Sequence, residues 1–333
     1  MLDRWMQAVD RWQRRRSWSA FPFAVIKKFG DDQAGNLAAL VAYYSFFSIF
    51  PLLLVLTTVL GRVLESNPDL QADVLDSALG QFPIIGDQLR DNVGGIPGSG
   101  LALAIGVVGA LWGGMAAILA MQNALNGVWN VPFRQRSNML AGRLRALAML
   151  AVFGAAVLVL TLAGSVTRSA ADVALLGDLL ALVVSFALGL GVFLAAFKLL
   201  TDARVEWHDL VPGAVVAALG WAVLQVVGGA FVRHWVQGAT ATSGVFAVVI
   251  GLLSWLYLQA QLTVYAAEIN VVRREHLWPR SLTGRNLTEG DQRALARYAA
   301  VEQRVEGQDV LVDLHAPAVE NWMRTPAQAD RAE

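Results

Sequence analysis

The chain has no cysteine among its 333 residues. That absence excludes disulfides, thiolate metal sites and thiol chemistry together. Charge is scarce as well: Asp, Glu, Lys and Arg make up 16% of the residues and cancel to a formal net charge of zero. No basic field is present to hold a nucleic acid, and none is expected as a partner. Histidine is rarer still, since the chain has only His208, His234, His276 and His315. No two of these stand at metal-ligand spacing, and no GxxxxGK[ST] phosphate cradle or nucleophile elbow occurs. The sequence therefore predicts no catalytic residues, no metal site and no cofactor, and it does not read as an enzyme. Lysine is nearly missing, 3 against 23 arginines, which with abundant alanine and glycine reads as a GC-rich bacterial genome.

What fills the chain instead is apolar. Hydrophobic residues reach 56%, and the mean hydropathy is +0.50, too high for an ordinary soluble globule. A bilayer core is crossed by about 20 predominantly apolar residues in a helix. Runs of that length lie at 37–60, 101–121, 146–166, 179–200, 210–232 and 245–264. Helices are expected, because lipid offers the backbone no hydrogen-bond partners and the runs lack the alternation of a barrel strand. The fold class is an all-α integral membrane protein, a six-helix transmembrane bundle. No cleavable signal peptide is visible, because the first run follows a long charged leader and exceeds a signal h-region.

Basic residues in short loops stay on the cytoplasmic side. Arg4, Arg11, Arg14, Arg15, Arg16, Lys27 and Lys28 precede the first run, Arg134, Arg136, Arg143 and Arg145 follow the second, and Arg273, Arg274 and Arg280 follow the last. The connection 62–100 instead carries Glu65, Asp69, Asp73, Asp76, Asp87 and Asp91 against Arg62 and Arg90. The expected protein is a multi-pass protein of the bacterial inner membrane with both termini cytoplasmic.

Three parts follow from this. Residues 1–36 form a cytoplasmic leader in which Trp5, Met6, Val9 and Trp12 recur at helical spacing opposite arginines. It reads either as an interfacial helix on anionic lipid or as a basic tail that enforces orientation. Residues 37–276 form the transmembrane domain, with short helices expected at 67–78 and 84–93 of the outer loop 62–100, as a lid or a structural cap. Residues 277–333 form a partly disordered tail, where Thr288 and Asp291 make a capping box for a helix through Arg304, Gly307 being the stop.

Close helix packing in lipid needs small residues on facing stripes. Such stripes are Gly106, Ala110 and Gly114; Gly109, Gly113 and Ala117; Ala187, Gly191 and Ala195; and Gly213 with Ala217. Pro51 removes one backbone donor inside the first run, frees the carbonyl of Phe47 and kinks the helix, with Ser48 near enough to compensate.

Polar residues inside spans point to pathways, because each is costly in hydrocarbon. Ser254, Tyr257, Gln261, Tyr265 and Glu268 recur on one face of the last run, expected to point inward. Tyr43, Tyr44, Asn123, Asn126 and Lys198 lie near the same inner end, and Gln225 is closest to mid-membrane. Together with Ser48 these residues outline a cytoplasm-facing vestibule, or else a set of groups that pair internally.

The stretches AYYSFFSIFPLLL from Ala42, MQNALNGVWNVPFR from Met121, VPGAVVAALGWAVLQ from Val211 and SGVFAVVIGLLSWLYLQAQLTVYAAEIN from Ser243 together resemble the YihY/BrkB family of bacterial inner-membrane proteins, over roughly residues 29–278. The resemblance implies six transmembrane helices, cytoplasmic ends and a membrane domain without a settled activity. Family names include ribonuclease BN and virulence factor, and the family is linked to envelope-lipid export. Two function classes stay open: a transporter or flippase-like protein for a lipid or other amphiphile, and a non-transporting scaffold or assembly factor. A membrane-bound ribonuclease ranks last, because neither clustered metal ligands nor a basic, aromatic strand-binding surface is present. Membrane lipids are the expected partners; protein partners and homo-oligomerisation are left open.

Overall fold

The computed structural model of the chain describes residues 10–14, 16–63, 100–169, 174–231, 237–282, 284, 287–310 and 312. Its helices are α1 (Ser17–Asp31), α2 (Ala34–Val63), α3 (Gly100–Val128), α4 (Met139–Ser169), α5 (Ala174–Leu199), α6 (Trp207–Phe231), α7 (Gln237–Arg274) and α8 (Glu289–Val301), with a short 3-10 turn at Phe133–Gln135. Among the described residues there is no strand. Five helices, α3 to α7, are long and apolar enough to cross a membrane, and α2 contributes a shorter apolar segment, Ala34–Ile49. The outer-loop helices expected at 67–78 and 84–93, residues 1–9 of the leader with Trp5, Met6 and Val9, and the tail beyond 312 lie outside the described residues.

The helices pack in chain order, α2 on α3, α3 on α4, and so on to α7. α7 then returns to α2 and α3, so the order closes into a ring, and α1 lies across α7 and α2. Each helix runs past its apolar stretch. Hydropathy marks the part that meets lipid, whereas the last turns of α3 and α7 continue as helix against neighbouring protein, with Val128, Val271 and Val272 buried. Large apolar side chains remain exposed along the ring, among them Trp112 at 72%, Val226 at 75% and Phe246 at 79%. A water-facing protein would bury such side chains, and a lipid-facing one has no reason to.

Small residues set the closest approaches. A Cβ on Gly113 would stand 2.9 Å from the Ser48 backbone, and one on Gly109 2.9 Å from Pro51, so that stripe of α3 receives α2 at its proline. Gly114, on the neighbouring stripe, faces Leu150 of α4. The α5 stripe behaves differently from expectation. Ala187 and Gly191 are exposed, and nothing lies within 4 Å of a Cβ on Gly191. Spacing puts small residues on one face but does not say which face meets a neighbour.

The tightest approach joins α6 to α7, where a Cβ on Gly213 would come 2.1 Å from the Ala266 carbonyl. Its N–H also donates to Asn270 Oδ1 at 2.7 Å. Gly213→Ala is expected to lower stability by about 1–3 kcal/mol through overpacking, read as thermal unfolding in detergent. Gly191→Ala should be neutral in the same assay; equal effects of the two would refute the assigned faces.

α8 starts as expected, with Thr288 and Asp291 forming a reciprocal capping box. It ends at Val301, not Arg304, and Gly307 sits in a later turn at φ +81°.

Candidate functional site

α1 turns one charged side chain into protein. Lys28 is fully buried, which a lysine tolerates only with partners. Its Nζ donates to the carboxylate of Asp32 one helical turn later. It also donates to the Val128 carbonyl at 2.7 Å, one of the acceptors left open at the end of α3. Its third neighbour is Glu268 Oε2 at 3.2 Å, on a carboxylate with no exposure. Phe29, the next residue, stacks on Tyr265 with ring centroids 3.7 Å apart and planes 2° off parallel. The Tyr298 ring of α8 lies 5.9 Å from the ammonium. Segments far apart in the chain thus meet around one ammonium.

A second network gathers on Asp202, between α5 and α6. It accepts from the Ser137 N–H at 3.0 Å, the Ser137 hydroxyl, Arg145 and Asn126 Nδ2 at 2.8 Å. Its own N–H donates back to Asn126 Oδ1 at 2.8 Å. Burial pushes the Asp202 carboxyl up, but the hydrogen bonds from Ser137, Arg145 and Asn126 outweigh it and hold it below the usual carboxylate range.

The tail closes over the same end. Asp291 accepts from Arg280 Nε at 2.7 Å, the Ser281 N–H at 2.8 Å, the Thr288 N–H at 3.0 Å and Lys27 at 3.2 Å. Burial again raises this carboxyl, yet Thr288, Arg280 and Ser281 bring it down to about 2. Arg280 reaches Asp31 at 2.8 Å. The leader joins here, with the Leu282 N–H donating to Asp10 and Gln13 donating to the Arg280 carbonyl at 2.6 Å. Further on, the Arg134 N–H donates to the Gln303 carbonyl at 3.0 Å, and Arg136 and Arg304 each cover the Phe133 ring.

The sequence-derived residues are not gathered into one site. Glu268 and Tyr265 meet α1, and Asn126 meets Asp202. Asn123 accepts from Arg136 at 3.0 Å, and Lys198 donates to the Val205 carbonyl at 2.5 Å. Tyr43 and Tyr44 are exposed, 53% and 40%, in edge contact with each other. Gln225 and Gln261 are half-buried. Ser48 donates to the Ser45 carbonyl at 2.7 Å, so the compensation expected at the Phe47 carbonyl is not the bond it makes, and α2 continues through Pro51. The inward stripe of α7 also needs correction. Ser254 is exposed on the face it shares with Phe246, Ile250 and Leu258, whereas Tyr257, Gln261 and Tyr265 are half-buried and Glu268 is fully buried. A helix of 3.6 residues per turn keeps all five within one arc of about 80°, so the difference lies along the axis: Phe29 and Lys28 of α1 cover this face at Tyr265 and Glu268, while at Ser254 it is left exposed.

Lys28, Asp32, Asp202 and Arg145 carry the two networks, and sequence reasoning counted them only as loop charge or not at all. One local signal was present: Lys28 and Asp32 stand four apart, the spacing of a helical ion pair.

Comparison with known proteins places the chain among bacterial membrane proteins. The family model described as Virulence factor BrkB matches residues 25–287. Inner membrane protein YhjD of Escherichia coli is 23% identical over 261 residues, covering 72% of this chain and 77% of that protein. A UPF0761 membrane protein of Alcanivorax borkumensis is 24% identical over 335 residues, covering 90% of this chain and 75% of its own length. The ribonuclease-like protein YfkH of Bacillus subtilis is 26% identical over 250 residues, with 71% and 88% covered. No solved structure matches.

Proposed function

The chain belongs to the BrkB family of integral inner-membrane proteins, and from that premise we propose that it moves a lipid or another amphiphile across the membrane. The observation that carries this reading is the fully buried Lys28–Asp32–Glu268 cluster. Ionisable groups kept inside a membrane bundle are expensive and mark pathways by default. In this reading α2 is the sixth crossing helix, and both termini are cytoplasmic beside the arginine-rich loops. The ends of α3, α5, α6 and α7 then converge at the inner face, where the charge cluster closes the inner mouth. Gln261 and Tyr265, on the same arc of α7 as Glu268, stand on the way to it. The ribonuclease-like name of YfkH is not carried over: the chain has zero net charge and no paired histidines at metal-ligand spacing.

The test uses the full chain in phospholipid vesicles carrying a head-group-labelled fluorescent phospholipid, with a membrane-impermeant quencher added outside. Wild-type protein is expected to expose inner-leaflet label faster than empty vesicles. Glu268→Gln and Gln261→Ala should fall to the empty-vesicle rate while inserting normally. Wild-type rates in both variants would sink the pathway, and empty-vesicle rates for wild type with neutral, anionic and glycosylated lipids would sink transport.

A further inference from the structure

We propose that the Lys28–Asp32–Glu268 cluster is a binding site for one monovalent cation, a proton or a sodium ion. The argument is a charge count in a buried place. Lys28 contributes one positive charge, Asp32 and Glu268 one negative charge each, so the ionised cluster carries one uncompensated negative charge. The neighbouring group does not supply the balance. There Arg280 and Lys27 face Asp31 and Asp291, two positive charges against two negative, already matched.

Hydrogen bonding tells the same story independently. An ammonium has three N–H bonds; two of those of Lys28 serve Asp32 and the Val128 carbonyl, and Glu268 Oε2 stands 3.2 Å from it as an ion pair without a hydrogen bond. Both oxygens of Glu268 are left with no hydrogen-bond partner, and Oε1 has no ion-pair contact with the ammonium either, on a residue with no exposure. An orphaned carboxylate oxygen in low dielectric is strongly unfavourable unless a cation meets it. Both candidate cations suit the donor set. A proton needs one such oxygen. Sodium takes hard oxygens, here two carboxylates and a carbonyl at a helix C-terminus, the kind of end that coordinates such ions in transporters. The charged and titratable groups facing the site are Lys28 and Asp31 from α1, Asp32 just after it, Tyr298 from α8 and Arg280 from the α7–α8 connection, while α3 contributes the Val128 carbonyl.

The site stands on the cluster alone, but its use as a coupling site rests on the transport reading. The experiment is thermal unfolding of the purified full chain in detergent, in two titrations at constant ionic strength. In one, sodium chloride replaces choline chloride at alkaline pH. In the other, pH falls from alkaline to neutral without sodium, a range in which Asp10, Asp202 and Asp291 stay ionised because their carboxyls are held low. One of the two cations is expected to stabilise wild-type protein, the folded ratio rising about tenfold per tenfold increase in free cation once binding is strong. Glu268→Gln removes the dependence. So does Asp32→Asn, which matches Lys28 to Glu268 and serves if the first variant does not fold; Ser254→Ala, on the exposed part of α7, keeps the dependence. Wild-type protein indifferent to both cations, or a Glu268→Gln protein still responding, overturns the proposal. Cation dependence without lipid movement would remove the transport reading and leave the site standing. Lipid movement without cation dependence would do the reverse.

Discussion

Lys28→Met is expected to lower stability by about 3–5 kcal/mol, the cost of removing one partner from a buried ion set. The substitution keeps most of the volume, so packing changes little. What changes is electrostatic: Asp32 and Glu268 lose their shared ammonium, and the Val128 carbonyl loses its donor. The prediction separates charge from packing through a second variant. Lys28→Met combined with Asp32→Asn and Glu268→Gln should recover much of the loss, because a buried ion set replaced as a whole by neutral groups is often tolerated. Thermal unfolding in detergent reads both. If Lys28→Met stays within about 0.5 kcal/mol of wild type, as an ordinary surface change does, the cluster is not the desolvated site described above.

Asp202→Ala should cost about 2–3 kcal/mol, the range for hydrogen bonds to a charged acceptor. Arg145 is 37% exposed and can return to water, but the carboxylate itself is only 5% exposed. Asn126 is buried and loses the group that accepts from its amide. The pH dependence follows from the lowered carboxyl. A group with a depressed folded-state pKa contributes its stability in full above its unfolded value, about 3.9 for Asp. That contribution disappears as pH falls through the folded value. The gap between wild type and Asp202→Ala should therefore be constant near neutrality and close on acidification below about pH 4. A gap that grows on acidification would contradict the assigned hydrogen bonds.

Much of the fold was legible because hydropathy and helical periodicity are local. Five of the six apolar runs fall on helices long enough to cross a membrane, and the Thr288 capping box appears where three-residue spacing puts it. Orientation in the membrane remains a reading of the arginine-rich loops. The site was legible only in part. Glu268 stood out as the carboxylate of an apolar run, and Asn126 as a polar residue near a helix end. Their partners did not: Lys28 looked like topology charge, and Asp202 like loop. Ser254 shows the opposite error, a periodic polar residue that falls on the outer face.

The amino-acid sequence by itself determined that the chain is a membrane-embedded helical protein and to which family it belongs. Those properties come from transfer energies and local spacing, which each segment carries alone. Only the tertiary structure decided that Lys28, Asp32 and Glu268 form a closed charge cluster. It brings Val128, 100 residues beyond Lys28, and Glu268, on the last apolar helix, onto one ammonium. Burying a charge has a cost only once other segments exclude water from it, so neither the pairing nor the unbalanced charge exists before the helices pack.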